Sequence, residues 1–447
     1  MDYAAAVRQL LSLGRELASP TQASAGKFDL ENIHALAGRL GRPERAYPIA
    51  HVAGTNGKGS TAAMLERILR EAGFRTGLCT SPHLERINER IRVSGEEIGD
   101  AAFAERFTRL SDLIEELLAS GRLRGHPTFF ECMTALAFEH FARERVEFAA
   151  VETGLGGRLD ATNIVQPVVT VFTPISFDHE SYLGHSLENI SNEKAGIIKP
   201  GVPVITAAQR PEAHVVLSRR AAELGCCFIE AETAYRVESE AWEDGCARAS
   251  VREADSGWSV QAQLGLPGRF QLRNALNVIA AARVLAARGY AVSDDAIARG
   301  LAAAEWPGRL ERVHDRPAVY LDGAHNPAAA RELAAFWGEH FAGRRIILVF
   351  GSLRDKAVDE VSGLLFPRAA NVILTQPPSP RAISAERLGQ IAGHHAECYE
   401  IVCDPEAALE CAFERAAPGD AIFITGSLYL VGALRGVLLS RERVPSA

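Results

Sequence analysis

Lysine is scarce in this 447-residue chain: Lys27, Lys58, Lys194, Lys199 and Lys356 are the five lysines among 48 basic residues, and arginine supplies the rest. Where the background runs so far toward arginine, a retained lysine marks a position that needs a compact ammonium or an amine able to lose its proton. Basic charge is in deficit overall, with a formal net charge of −8. That excludes a polycationic face for nucleic acid and requires any phosphate site to be local. A membrane-length apolar run is missing too, since the longest candidate, 275–287, is interrupted by Asn277 and Arg283. The eight cysteines show no C-x-x-C spacing and read as incidental thiols of a reducing compartment. The first 18 residues, with Asp2, Arg8, Arg15 and Glu16, have the pattern of an amphipathic helix, not of a secretory signal. A cytoplasmic protein without membrane or nucleic-acid partners is expected.

What is present centres on His51 to Ser60, HVAGTNGKGS. A short strand pattern (47–53) enters a turn holding Gly54, Gly57 and Gly59 and leaves into a helical pattern. Such a turn lets backbone N–H groups converge on one point, and the following helix N-terminus adds partial positive charge. Lys58 can then reach terminal phosphates while Ser60 helps hold Mg²⁺. The turn departs from G-x-x-x-x-G-K-[ST] at both ends: Val52 replaces the first glycine, and Gly59 is inserted before the hydroxyl residue.

Length and an apolar share of 47% predict two or three domains with sizeable cores. Strand patterns at 75–79, 147–152, 168–173 and 202–206 alternate with helical stretches, which predicts a parallel sheet with right-handed crossovers. Between about 228 and 266 the pattern shortens into alternating pieces, expected to be a small antiparallel appendage. After Pro307-Gly308 a new series of strands (319–322, 346–350, 372–375, 400–403, 422–425) alternates with helices starting near 328, 356, 384, 405 and 429. The expected fold is α/β: a phosphate-loop, parallel-sheet ATPase domain over 1–305, then a smaller Rossmann-like α/β domain over 306–447.

Polar residues gather where strands end. Glu152 closes a buried-strand run beside the glycine-rich 153–160, the place for a Mg²⁺-binding carboxylate. Leu159 stands where the last glycine of G-x-G-x-x-G should be, so that stretch is not a dinucleotide fingerprint. His179, in Phe177-Asp178-His179, is a further candidate ligand. Asp322, in DGAHNP, suits a ribose hydroxyl. Arg309 offers a fork of donors for phosphates, and Ser427, in TGSLYLVG, an N-cap or a functional hydroxyl.

Taken in order, AGTNGKGS, TSPHL, TFFE, ETGLGGRLDATN, FDHE, NEKAGIIK, PGRLE, DGAHNP, FGSLRDK and TGSLYLVG span nearly the whole chain. They resemble the folylpolyglutamate synthase and dihydrofolate synthase family of Mur-type amide ligases. The resemblance implies ATP-dependent joining of L-glutamate to dihydropteroate or a folate through an acyl phosphate, in an enzyme expected to be a monomer. It implies an ATP site of Gly57, Lys58, Gly59, Ser60 and Asn274, with Arg309 and Asp322 from the second domain. Ser81, Glu152 and His179 would hold metal, and Lys194 would be carried as a carbamate (N6-carboxylysine) able to bind a second Mg²⁺, a role arginine cannot take. Thr128, Phe129, Phe130, Glu131, Leu159, Asp160 and Ala161 would surround the pterin, with Phe130 stacking and Asp160 accepting hydrogen bonds. His325 and Ser427 would lie near the incoming glutamate. The alternatives are a Mur ligase acting on a UDP-sugar peptide, from which the inserted Gly59 and TSPHL differ, and a phosphate-loop switch protein, which would lack DGAHNP in a second nucleotide fold.

Overall fold

The structure, a computed structural model, describes residues 1–13 and 29–442. The expected polar loop 19–27, with Lys27, and residues 14–18 of the N-terminal helical pattern lie outside the described residues. Among the described residues, no helix is long and apolar enough to cross a membrane.

Two compact units emerge. The first comprises Met1–Glu240, Arg248–Leu264 and Arg273–Ala304; the second comprises Ala241–Ala247, Gly265–Leu272 and Glu305–Ala447.

The first unit is built on an eight-stranded sheet whose order is β4-β3-β2-β5-β1-β6-β7-β8. Its strands are β1 (Ile49–Ala53), β2 (Thr76–Cys79), β3 (Ile91–Val93), β4 (Glu96–Glu97), β5 (Phe148–Glu152), β6 (Val169–Phe172), β7 (Val204–Thr206) and β8 (Phe228–Glu230). β1 lies between β5 and β6, parallel to both, and every residue of the three strands is buried. Strands covered on both faces read as continuous apolar runs, and these do.

One face carries helices Asp100–Ala119 and Phe129–Arg143. Phe103 and Phe107, four apart on the first, and Phe138 and Phe141, three apart on the second, are fully buried. Each ring stabilises the fold by about 1.5–3 kcal/mol relative to exposure. Part of a second cluster is Ile190, Val216 and Leu217 from helices Leu187–Ala195 and Pro211–Glu223, packed with Phe172 and Val204.

The sheet is not wholly parallel, as the crossover pattern predicted: β3 and β4 add an antiparallel margin beside β2. These strands are too short and too charged to register as periodic runs. The antiparallel piece is also shorter than 228–266, because Phe228–Glu230 pairs parallel with β7. It is a three-stranded sheet of β9 (Tyr235–Glu243), β10 (Cys246–Glu253) and β11 (Ser259–Gln263).

The second unit's sheet runs β12-β13-β17-β14-β15-β16. The strands are β12 (Glu311–Asp315), β13 (Ala318–Leu321), β14 (Ile346–Phe350), β15 (Asn371–Leu374), β16 (Tyr399–Ile401) and β17 (Ala421–Thr425). Only the β12–β13 pair is antiparallel. Tyr320 and Phe423 stack at 5.0 Å, locking β13 to β17.

Candidate functional site

Ligands of parallel sheets sit beyond the carboxyl ends of the strands, and the first unit gathers its polar groups there. β1 ends at Ala53 and helix Lys58–Glu71 begins five residues later, with Gly57 as its N-cap. Gly57 adopts φ +86°, and a Cβ there would fall 2.7 Å from Asn274 Oδ1, so only glycine fits both backbone and neighbour. The sequence-predicted Gly57 and Asn274 are thus in contact. The first N–H groups of the helix, from Lys58, Gly59 and Ser60, lack intrahelical acceptors, a geometry that suits an anion. Thr55 pins the loop to the chain after β6: its Oγ1 donates to Ser176 O (3.1 Å) and accepts from Ser176 N (3.0 Å).

Lys58 Nζ donates to Thr55 O at 3.1 Å and lies 3.8 Å from Glu152 Oε1. Glu152, buried at the end of β5, accepts from Ser81 N at 3.1 Å through Oε2. Lys58, Ser81 and Glu152 therefore meet at the ends of three strands. His179 sits in the left-handed region, φ 52°, its N–H on Asp178 Oδ1 (2.9 Å) and its Nε2 3.9 Å from Asp178 Oδ2.

Lys194 lies in the last turn of helix Leu187–Ala195, buried, with Nζ donating to Gly54 O at 2.7 Å. Burial pushes its pKa from 10.5 down to about 7; the Lys58 charge pushes the same way, and Asp178 and Asp160 oppose it. The amine thus gives up its proton far more readily than an ordinary lysine. The glycine-rich turn after β5 packs beside it: Arg158 N donates to Glu193 O (2.7 Å), and Arg158 pairs with the Glu193 carboxylate at 2.9 Å.

The residues expected around a pterin make the following contacts. Thr128 is the N-cap of helix Phe129–Arg143, and Glu131 closes a capping box with it, accepting from Thr128 N (2.8 Å) and Oγ1 (2.9 Å). Phe129 is buried under the Arg90 guanidinium, 5.2 Å from the ring centre. The half-buried Phe130 lies against Gly154, where a Cβ would be 2.4 Å from its ring. Leu159 is half-buried and Ala161 buried.

Asp160 Oδ2 accepts from Leu155 N (2.8 Å), and Oδ1 accepts from Thr162 N (3.0 Å) and Thr162 Oγ1 (2.5 Å). Burial raises the Asp160 pKa, and these bonds oppose the rise. Thr162 Oγ1 also meets His51 Nε2 at 2.8 Å. Because that hydroxyl donates to Asp160, it accepts from His51, which fixes the proton on Nε2. Burial lowers the His51 pKa to about 3, keeping the ring neutral. The sequence does not mark His51 and Thr162 as site residues: both lie within the motifs HVAGTNGKGS and ETGLGGRLDATN, but a pairing across 111 positions leaves no local signal.

In the second unit, β13 and β17 run parallel with Leu321 opposite Ile424, so the turns DGAHNP and TGS emerge side by side. Asp322 Oδ2 accepts from Leu310 N (3.0 Å) and Oδ1 from Ala324 N (2.9 Å). Burial raises its pKa, while the Arg309 charge opposes. Arg309 crosses Gly323, where a Cβ would be 2.1 Å from Nη1. His325 Nδ1 lies 2.7 Å from Gly323 O and so carries a proton. Ser427 is buried and caps helix Leu428–Glu442, its Oγ accepting from Tyr429 N at 3.2 Å.

A phosphate loop with a buried acid and a proton-poor lysine, followed in the chain by a second nucleotide-type fold with polar strand ends, defines the class of Mur-type ligases. Residues 52–282 match the Mur ligase middle domain, and residues 308–428 the Mur ligase glutamate ligase domain. The chain is 37% identical to the dihydrofolate synthase/folylpolyglutamate synthase of Bacillus subtilis, covering 92% of this chain and 94% of that one. It is 33% identical to the Escherichia coli enzyme of the same name, over 92% of each. Folylpolyglutamate synthase of Mycobacterium tuberculosis, complexed with ADP and AMPPCP, superimposes with a TM-score of 0.88 at 32% identity over the full length of both chains. Escherichia coli FolC in complex with DHPP and ADP gives 0.85 at 30% identity, over 99% of each. The chain belongs to the dihydrofolate synthase/folylpolyglutamate synthase family of Mur ligases.

Proposed function

We propose that the protein is an ATP-dependent amide ligase that adds L-glutamate to 7,8-dihydropteroate and to the γ-carboxylate of reduced folates. The observation that carries the reading is the agreement of two family models and full-length relatives with a phosphate loop whose lysine meets a buried acid. The named relatives are folate enzymes, which favours this substrate class over a UDP-sugar peptide.

A carboxylate is a poor acylating agent. Its oxygen attacks the γ-phosphorus of ATP and ADP leaves; the glutamate amine then attacks the acyl carbon of the acyl phosphate, a proton is lost and inorganic phosphate departs. In this reading Gly57, Lys58, Gly59 and Ser60 hold the phosphates, and Asn274 the adenine. Arg309 and Asp322 are further residues assigned to nucleotide binding. Thr128, Phe129, Phe130, Glu131, Leu159, Asp160 and Ala161 frame the pterin. His325, with Nδ1 turned to Gly323 O, and Ser427 lie near the incoming glutamate. We assign the ATP- and folate-binding role to residues 1–305 and the glutamate ligase role to 306–447; within the first range, Ala241–Ala247 and Gly265–Leu272 belong to the second compact unit.

Glu152, Ser81 and His179 supply carboxylate, hydroxyl and imidazole donors. The 3.8 Å approach of the Lys58 ammonium to Glu152 fits a pocket that accepts positive charge. Mg²⁺ held there would neutralise phosphate charge. Lys194, whose pKa burial lowers to about 7, suits carbamate formation: the free amine attacks CO₂, a proton is released, and the resulting carbamate would hold a second Mg²⁺. The eight free cysteines fit a cytoplasmic enzyme, which we take to act as a monomer.

Oxygen-18 transfer tests the acyl phosphate. Dihydropteroate labelled in its carboxylate should yield phosphate carrying one labelled oxygen per amide formed. Unlabelled phosphate would contradict the mechanism.

A further inference from the structure

We propose that Asp359, His394 and His395 in the second unit form a binding site for a divalent transition-metal ion of the zinc type, separate from the residues assigned to ATP and its Mg²⁺. Among the described residues, this is the one group of three or more His, Cys, Asp or Glu side chains whose ligand atoms all lie within 4.8 Å of one another.

The geometry is organised from two segments of chain. Asp359 stands in the first turn of helix Val358–Leu365, and Gly363 follows one turn later on the same face. His394 and His395 belong to the short turn Gly393–His395. The His395 ring lies over Gly363, where a Cβ would be 3.3 Å from Cε1, and that contact directs its Nε2 to Asp359 Oδ1 at 2.9 Å. The adjacent His394 turns to the same oxygen at 3.6 Å, its ring centre 3.9 Å from that of His395.

A hydrogen bond to Asp359 needs one imidazole, and two consecutive residues have converged on it. Two imidazoles crowded on one carboxylate oxygen compete for its lone pairs, whereas a cation between them takes all three donors at once. Ligands at 2.0–2.1 Å from a tetrahedral zinc are about 3.3 Å apart, so the two nitrogen–oxygen separations, 2.9 and 3.6 Å, need only small adjustments. Two nitrogens, one oxygen and no thiolate select Zn²⁺, Ni²⁺ or Cu²⁺ over Mg²⁺ and Ca²⁺. The side chains of Asp359 and His394 are 66% and 62% exposed, so water completes the coordination sphere and the ion exchanges readily. Bound metal would tie the start of helix Val358–Leu365 to the 393–395 turn.

The test uses the full chain without an affinity tag, stripped by chelator and titrated with Co²⁺ in excess Mg²⁺. One equivalent of Co²⁺ should give the visible absorption of a low-symmetry nitrogen–oxygen site, and Zn²⁺ should displace it. His394→Gln, at an exposed position, and His395→Ala should each weaken binding about tenfold or more, while Glu152→Gln should leave it unchanged. His394→Gln should retain glutamate-dependent ADP release, which separates metal loss from unfolding. Absence of Co²⁺ absorption in the wild type, or equal binding by the His394→Gln/His395→Ala double variant, would overturn the proposal.

Discussion

Lys194 Nζ and the carbonyl oxygen of Gly54 lie 2.7 Å apart although 140 positions separate them in the chain. The contact fixes a buried amine against the backbone that leads into the phosphate loop. It also explains why a chain so rich in arginine keeps lysine at this position: guanidinium stays charged at any accessible pH, whereas this amine is pushed to about 7 by burial and by the Lys58 charge.

Lys194→Arg should therefore be inactive in spite of its conserved charge. With carbon-13 bicarbonate, the wild type should show a carbamate resonance that grows as pH rises through about 7 and is absent from the variant. The folded value lies below the ordinary 10.5, so the unfolded chain binds more protons between about 7 and 10.5, and this group makes stability rise with pH across that window. Denaturant melts of Lys194→Met should lack that part of the rise. Wild-type turnover by Lys194→Arg would remove the carbamate role.

Lys58→Ala deletes the ammonium that reaches both Thr55 O and Glu152. ADP release should fall by at least about 10²-fold, the scale on which lost charge stabilisation in a transition state is felt. Circular dichroism should be unchanged. Turnover within a few-fold of wild type would count against the phosphate-loop assignment.

Gly57→Ala and Gly73→Ala form a matched pair. Both glycines have positive φ, +86° and +95°, but a Cβ meets Asn274 only at position 57 and nothing within 4 Å at position 73. Each substitution should cost about 1–2 kcal/mol of stability from backbone strain. Only Gly57→Ala should also weaken binding of a non-hydrolysable ATP analogue, read by calorimetric titration.

Asp322→Asn swaps an acceptor that receives two backbone N–H groups, from Leu310 and Ala324, for an amide that can accept through one oxygen only. One buried N–H loses its partner, and the melt should shift by about 1–3 kcal/mol. If Asp322 also binds the ribose, the KM for ATP should rise as well. A variant with wild-type stability would mean that the loop relaxes around it.

The elements legible in the sequence are those whose cause is local. The helix Phe129–Arg143 starts where Thr128 and Glu131 spell a capping box, and β14, Ile346–Phe350, is an unbroken apolar run. The margin β3–β4 was not legible, because Arg92, Glu96 and Glu97 give charged, two- or three-residue strands without periodicity. Nor was β8, whose half-buried residues pair with β7 only through tertiary contact. Lys58, Glu152 and Ser81 could be placed at strand ends from the sequence, and the structure brings them together. The links from His51 to Thr162 and from Asp359 to His395 depend on chain reversals that no short window contains.

ADP release measured with and without L-glutamate, in the presence of dihydropteroate, tetrahydrofolate or a UDP-muramyl peptide, separates folate ligation from the other ligase activities. Glutamate-dependent ADP release is expected with both pteridine acids and none with the UDP-muramyl peptide. Release with the UDP-muramyl peptide alone, or release indifferent to glutamate, would contradict folate ligation as the activity.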